Sequence, residues 1–283
     1  MNGFFFVDKE SDWTSRDVCN KVQKLFNLPK VGHIGTLDPF ATGLLIVCVG
    51  SGTKAGTYFN DDEKEYVATL KLGKKTSTGD ITGEVIKEKE VSLPSKEEVI
   101  KILSSFVGEI EQTVPMTSAV HVDGVKLYQY LHNGIEVDRP KRRVVVKSID
   151  LIELGDDYLS FKAVVSKGTY IRVLGEDIAE RLNNLGYLSS LRRTRVGNIT
   201  VKEAKRLTEL TKEDLLPIQK LLLDIPTIVL SGEKKVKAIN GMTLPFDEYP
   251  NNDRILLVDE SNKVIAIYKK DHKNFYKCLR GLS

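Results

Sequence analysis

Gly32-His33-Ile34-Gly35-Thr36-Leu37-Asp38-Pro39-Phe40-Ala41-Thr42-Gly43-Leu44-Leu45 is the stretch on which the reading of this chain turns. Gly32, Gly35, Pro39 and Gly43 surround a single carboxylate, Asp38. Pro39 biases the backbone of Asp38 away from helix and toward an extended conformation. Gly35 and Gly43 permit tight turns or the close approach of a ligand. The apolar run Leu44–Val49 then enters the core. The pattern predicts a carboxylate on a rigid loop, anchored by a buried strand or helix. The plain alternative is an Asp-Pro turn, the commoner meaning of any isolated Asp-Pro pair.

Upstream, Phe4–Val7 reads as a short buried strand. Thr14 or Ser15 caps a helix that places Val18, Val22, Leu25 and Phe26 on one face, and Pro29 stops it. Downstream, Glu65–Leu72 reads as a strand and Lys74–Gly83 as a polar loop. Ser95 and Glu98 form a capping box ahead of a helix with Val99, Ile102, Leu103 and Phe106 inward. Val120–Val137 carries Tyr128, Tyr130 and two histidines with few apolar anchors, the look of an insertion projecting from the core. Val144–Leu154 and Leu159–Val165 alternate and pair as strands about a turn at Gly155-Asp156-Asp157. Ile171–Leu182 reads as a helix, and Thr211 with Asp214 caps another that ends near Leu223. A boundary at Asp224-Ile225-Pro226 leaves a small β-rich module over 226–283: a strand at Thr227–Leu230, a helix from Ser231 to Gly241, and strands at Ile255–Val258 and Val264–Tyr268.

Three further clusters carry chemistry. Ser166-Lys167-Gly168-Thr169-Tyr170-Ile171-Arg172 ends a strand and opens a helix, and its arginine can pair with a buried carboxylate and keep it ionised, the alternative being a helix start with a surface arginine. Leu188-Ser189-Ser190-Leu191-Arg192-Arg193-Thr194-Arg195 suits a phosphate backbone, the alternative being a solvated basic helix end. Lys64-Glu65-Tyr66-Val67 puts an aromatic ring at the head of a strand, where a core role is the commoner one.

Composition bounds the rest. The 283 residues are 41% hydrophobic and 29% charged, which excludes disordered and collagen-like classes. No apolar run approaches the roughly 20 residues of a membrane helix, and the short run Phe4–Val7 does not make a signal peptide. Cys19, Cys48 and Cys278 are scattered, and His33, His121, His132 and His272 form no metal-ligand spacing. A cytoplasmic protein without metal or cofactor is expected. The net charge of +3 is modest, but ten Lys/Arg face four Asp/Glu between Lys162 and Arg206, and Arg139, Lys141, Arg142 and Arg143 cluster again, which fits a phosphate-binding face, the alternative being a soluble surface that is merely lysine-rich.

Taken in order, these segments resemble the bacterial tRNA pseudouridine-55 synthases, the TruB family. The resemblance covers about the first 225 residues. It is carried by Gly32–Leu44 and supported by Lys64-x-Tyr66, Pro115-Met116-x-Ser118-Ala119, Lys167–Arg172 and Leu191-Arg192-Arg193. It implies an α+β pseudouridine synthase fold with a mixed, largely antiparallel sheet. A thumb insertion at about 120–142 and a PUA-type RNA-binding domain over 226–283 complete it. It also implies an isomerase that converts the T-loop uridine of tRNA to pseudouridine, with Asp38 as nucleophile and Arg172 as its ion partner. Tyr66 would stack on the flipped uracil, with Tyr170 and Leu191 as further pocket residues. His33 would enter the vacated stack, Asp80 would lie near the site, and Lys167, Arg192 and Arg193 would contact RNA. No cofactor and no obligate protein partner are implied, and a monomer is expected.

The sequence departs from the family pattern in two places. Asp8-Lys9-Glu10-Ser11-Asp12-Trp13-Thr14-Ser15 lacks a proline and a glycine usual there, and Thr117 replaces a common tyrosine. The competing functions are a guide-RNA-dependent relative, a silent RNA-binding or tRNA-folding protein, and an acid hydrolase using Asp38 with Asp80. Folding assistance is compatible with catalysis.

Overall fold

The computed structural model describes residues 1–249 and 251–283. The apolar runs near each end of the first fifty residues show no alternation, as strands covered on both faces should not. They pair antiparallel as β1 (Gly3–Lys9) and β3 (Thr42–Val49), while β2 (Val31–Ile34) lies on the other edge of β3. Along the chain follow β4 (Glu63–Leu72), β5 (Gly108–Thr113), β6 (Lys141–Leu154), β7 (Tyr158–Ser166) and β8 (Gly186–Val196). The sheet runs β1-β3-β8-β4-β7-β6-β5. Among the described residues the one parallel pair of its strands joins Thr42 and Gly43 of β3 to Arg192 and Arg193 of β8. The sheet is thus mixed and largely antiparallel, as expected.

Three helices cover one face: α1 (Ser15–Phe26), α2 (Lys96–Ser104) and α3 (Ile171–Arg181). Capping boxes start α1 at Thr14 with Asp17 and α2 at Ser95 with Glu98. Val18 and Val22 of α1 are buried, and Phe26 stacks on Phe5 with centroids 5.1 Å apart. Leu25, expected inward, is 47% exposed, because the buried stripe includes Cys19 and so turns away from position 25.

Two expectations are corrected. The run Leu188–Arg195 is neither a helix end nor an exposed basic stripe but the middle of β8, hydrogen-bonded between β3 and β4. The segment after Thr211 is a 3₁₀ turn, Lys212–Asp214, and after Pro217 a single helical turn, Ile218–Leu221. Pro217 cannot supply the N–H that a continuous helix needs.

A second sheet, ordered β9-β11-β12-β13-β10, comprises β9 (Thr227–Leu230), β10 (Leu244–Pro245), β11 (Arg254–Asp259), β12 (Val264–His272) and β13 (Phe275–Gly281), with α4 (Gly232–Ile239) against it. It does not hang from an exposed linker. Phe4, Phe6, Leu44, Ile46 and Cys48 from the back face of β1 and β3 share a buried cluster with Ile225, Leu256, Val258, Val264, Ile267 and Leu282. No helix among the described residues is long and apolar enough to cross a membrane.

Two left-handed positions govern the turn into the site. Gly43 has φ +101°, and a Cβ there would stand 2.2 Å from the carbonyl oxygen of Arg193. Gly43→Ala should therefore lower stability by more than about 2 kcal/mol in urea denaturation; an unchanged midpoint would contradict the close approach. Asp12 takes φ +67° where the family pattern has glycine. Aspartate tolerates this region better than most residues. Asp12→Gly should leave stability within about 1 kcal/mol of the parent.

Candidate active site

The chain leaves β2 at Ile34 and rejoins the sheet at Thr42, and the excursion between them carries Asp38. Side chains, not a ladder, hold this loop. The Ser15 hydroxyl accepts from the Leu37 N–H at 2.9 Å and donates to the Leu37 carbonyl at 3.1 Å. Lys9 is fully buried, and its ammonium donates to the carbonyls of Pro39 (2.9 Å), Trp13 (2.6 Å) and Glu10 (3.0 Å). Burial pushes Lys9 down to about 8, with Asp38 pulling it back up. The Asp12 N–H also reaches Pro39, at 3.0 Å, so the altered Asp8–Ser15 segment still anchors the loop. From below, the Arg193 guanidinium donates to the carbonyls of Leu44 and Gly35, both at 2.8 Å, and of Thr36 at 3.5 Å.

Arg172 comes from 134 residues away in sequence, at the second position of α3. Its Nε donates to Asp38 Oδ2 at 2.9 Å and its Nη2 to Oδ1 at 3.3 Å. This fork-on-fork pairing orients a carboxylate as well as holding its charge. The arginine side chain is only 6% exposed, whereas that of Asp38 is 35% exposed, so the carboxylate faces the opening and the cation is its buried backing. Arg172 Nη1 donates to the Thr78 carbonyl at 2.8 Å and to the Thr117 hydroxyl at 2.6 Å. The start of α3 has no side-chain cap of its own. Buried Gln112 of β5 supplies the bonds instead, accepting from the Tyr170 N–H at 3.0 Å and donating to its carbonyl at 3.2 Å.

Asp38 and Arg172 open into a cleft of about 990 Å³ lined also by His33, Lys64, Tyr66, Thr117, Gly168, Thr169, Tyr170 and Leu191. Tyr66 of β4 and Leu191 of β8 are mostly buried in its wall. Lys64 pairs with Asp61 at 2.9 Å, and burial still draws its ammonium below the usual range. At the rim, His33 Nδ1 lies 3.5 Å from Cys19 Sγ and Nε2 lies 3.2 Å from Thr36 Oγ1. Burial, with the charges of Arg16 and Arg193 behind it, favours the neutral imidazole. From the insertion, Val120, Lys126 and Tyr128 also line it. That insertion is a hairpin, His121–Val122 with Val125–Lys126, followed by the helix Leu127–His132.

Of the remaining expected residues, Asp80 lies beside Arg172 and Arg193 lies under the cleft loop, while Lys167 and Arg192 do not line the cleft. Asp80 is buried beneath the cleft, where its Oδ1 accepts from Thr78, Thr82 Oγ1 and the Thr82 N–H while its Oδ2 stands 3.6 Å from Arg172 Nη1. An acid pair of Asp38 with Asp80 is thereby disfavoured, since both carboxylates belong to one guanidinium. Lys167 points outward and pairs with Asp62 at 2.9 Å. Arg192 pairs with Asp8, Nη2 to Oδ2 at 2.7 Å, on the opposite side of β8 from Arg193. Arg193 is 0% exposed and cannot meet a phosphate. The parity of the strand puts one arginine out and its neighbour in.

A family model described as "TruB family pseudouridylate synthase (N terminal domain)" matches residues 23–171. The chain belongs to the TruB family. A relative from Bacillus pumilus called tRNA pseudouridine synthase B is 38% identical, over 95% of this chain and 93% of its own length. One of the same description from Clostridium kluyveri is 39% identical, over 94% and 95%. Among solved structures, a Cbf5-Nop10-Gar1 complex contains a chain with a TM-score of 0.72 at 22% identity, covering 99% of this chain and 85% of that one. At that identity the likeness speaks to the fold. The likeness in fold spans both sheets.

In this TruB-family cleft, reasoning from sequence missed Gln112, Thr78 and the anchoring role of Ser15. A polar residue at an inward strand position is the one signal that could have found Gln112. Arg193→Met should cost about 3 kcal/mol of stability, because the carbonyls of Gly35, Thr36 and Leu44 lose their donor. Arg192→Ala, removing a partly exposed pair, should cost under about 1 kcal/mol. Equal losses in thermal unfolding would contradict this assignment of faces.

Proposed function

We propose that this protein isomerises uridine 55 in the T-loop of tRNA to pseudouridine, with Asp38 as the nucleophile. The single observation that carries the reading is the Asp38 carboxylate gripped from behind by Arg172 and open in front to a cleft walled by Tyr66, Tyr170 and Leu191. Two relatives that bear the tRNA pseudouridine synthase B name match it over nearly their whole length.

A uridine stacked in a folded RNA loop cannot reach a protein carboxylate. It must be extruded into a pocket, at a cost of a few kcal/mol of unstacking. Tyr66 offers an aromatic face to the extruded base, and His33 at the rim is placed to fill the vacated stack. The N1–C1′ bond then breaks, the uracil turns, C5 joins C1′, the C5 proton leaves, and N1, freed from the sugar, takes up a proton. Attack at C6, attack at C1′ and abstraction of a C2′ proton all use the same carboxylate. Each needs it ionised and fixed in direction, which the bidentate arginine provides. The product is an isomer of the substrate, so the reaction needs no net oxidant, reductant or group donor.

The insertion at 120–142 closes on the T-arm in this reading, and residues 226–283 serve as a PUA-type RNA-binding domain beyond the catalytic residues 1–225. In this reading the protein acts on cytoplasmic tRNA as a monomer without an obligate protein partner. Exposed cations give phosphate contacts that position the RNA without reading its sequence.

The test is tritium release from a T-arm hairpin labelled at C5 of the target uridine. Wild type should release label. Asp38→Asn should slow release by at least about a thousandfold while holding hairpin affinity within about threefold, a small change on the affinity scale. No release by wild type, with the hairpin bound, would sink the proposal, and loss of binding by Asp38→Asn would make Asp38 structural.

A further inference from the structure

A guanidinium carries five N–H donors in one rigid plane, so its direction is set by whichever acceptors surround it. For Arg172, Asp38 takes Nε and one Nη2 hydrogen. The plane is completed at Nη1 by the Thr78 carbonyl and the Thr117 hydroxyl. Asp80 is an ion partner and not a hydrogen-bond acceptor here: its Oδ2 is 3.6 Å from Nη1.

Thr117 belongs to neither the loop of Asp38 nor the helix of Arg172. It lies in the turn where the Ser118 N–H donates to the Pro115 carbonyl at 3.0 Å. That turn is the root of the insertion, whose helix begins with the Tyr128 N–H on the Ser118 carbonyl at 3.1 Å and the Leu127 N–H on the Val120 carbonyl at 2.9 Å. Leu127 is fully buried and pins this corner. The Thr117 hydroxyl is neutral, so it accepts from Arg172 without drawing the cation's charge away from Asp38. Valine has the same shape but no acceptor, and it would leave a buried, charged N–H unpaired.

We propose that Thr117 is a positioning residue for the isomerisation: it locks the plane of the Arg172 guanidinium, and with it the direction of Asp38, to the root of the insertion. The proposal rests on the reading of Asp38 and Arg172 as the reacting pair.

Thr117→Val and Thr117→Ser, assayed beside wild type by tritium release and by NMR of the Arg172 Nη groups, test it. In Thr117→Val, kcat should fall about tenfold, which is about 1.4 kcal/mol, with KM and hairpin affinity within about twofold, a uniform-binding term left intact. Thr117→Ser, which keeps the hydroxyl, should restore most of the rate. Rotation about the Arg172 Cζ–Nη1 bond should be slow in wild type and Thr117→Ser and fast in Thr117→Val. Wild-type kcat in Thr117→Val would overturn the proposal. So would a KM rise that accounts for the loss, failure of serine to rescue, or unchanged Nη1 rotation. If wild type released no tritium, the function reading would fail while the NMR comparison still decided the positioning.

Discussion

Where β3 and β8 part company after Thr42 and Gly43, the sheet stops pairing its own carbonyls, and the Arg193 guanidinium takes them over. The rest of the cleft depends on that substitution of a side chain for a strand. The loop from Gly35 to Ala41 can rise out of the sheet because its lower carbonyls are satisfied by a planar, permanently charged group with several donors. A lysine would present one point of charge to acceptors spread over several residues. Gly35 and Gly43, both at positive φ, let the backbone approach this guanidinium and its parent strand without a Cβ in the way.

A second consequence is electrostatic. Lys9, Lys64, Arg172 and Arg193 are all buried around the loop, and of these Arg172 is the one bonded to Asp38. Burial draws Lys9 and Lys64 below their usual range, each held up in part by a neighbouring carboxylate. The carboxylate therefore sits in front of a fixed array of donors and charges that does not need to reorganise during reaction. Lys9 also explains why the departures at Glu10 and Asp12 leave the site intact: its three carbonyl bonds and the left-handed Asp12 reproduce the turn that proline and glycine would otherwise shape.

The rigidity of this platform comes from β1 and β3, which are buried on both faces. One face packs on the helices and the other on the second sheet. The small C-terminal sheet thus closes the hydrophobic back of the strands that carry the Asp38 loop. Its own interior, around Tyr268 and Tyr276, is a separate cluster.

Much of this was legible locally. Unbroken apolar runs announce strands buried on both sides, and alternation announces the β6–β7 pair. Capping boxes announce α1 and α2, and glycines around Asp38 announce a loop. Each of these is a property of neighbours in the chain, which is why sequence suffices. The family motif then tied Asp38, Tyr66 and Arg172 together. What only the tertiary structure decided is which way side chains face and what they meet. Arg192 and Arg193 are adjacent and chemically identical in sequence, yet strand parity sends one to Asp8 and seals the other beneath the loop. Thr117 reads only as a departure from a common tyrosine until it meets a guanidinium 55 residues away. Charge and composition are summed along the chain, whereas burial and hydrogen bonding depend on contacts between distant segments, and those exist only once the sheet has formed.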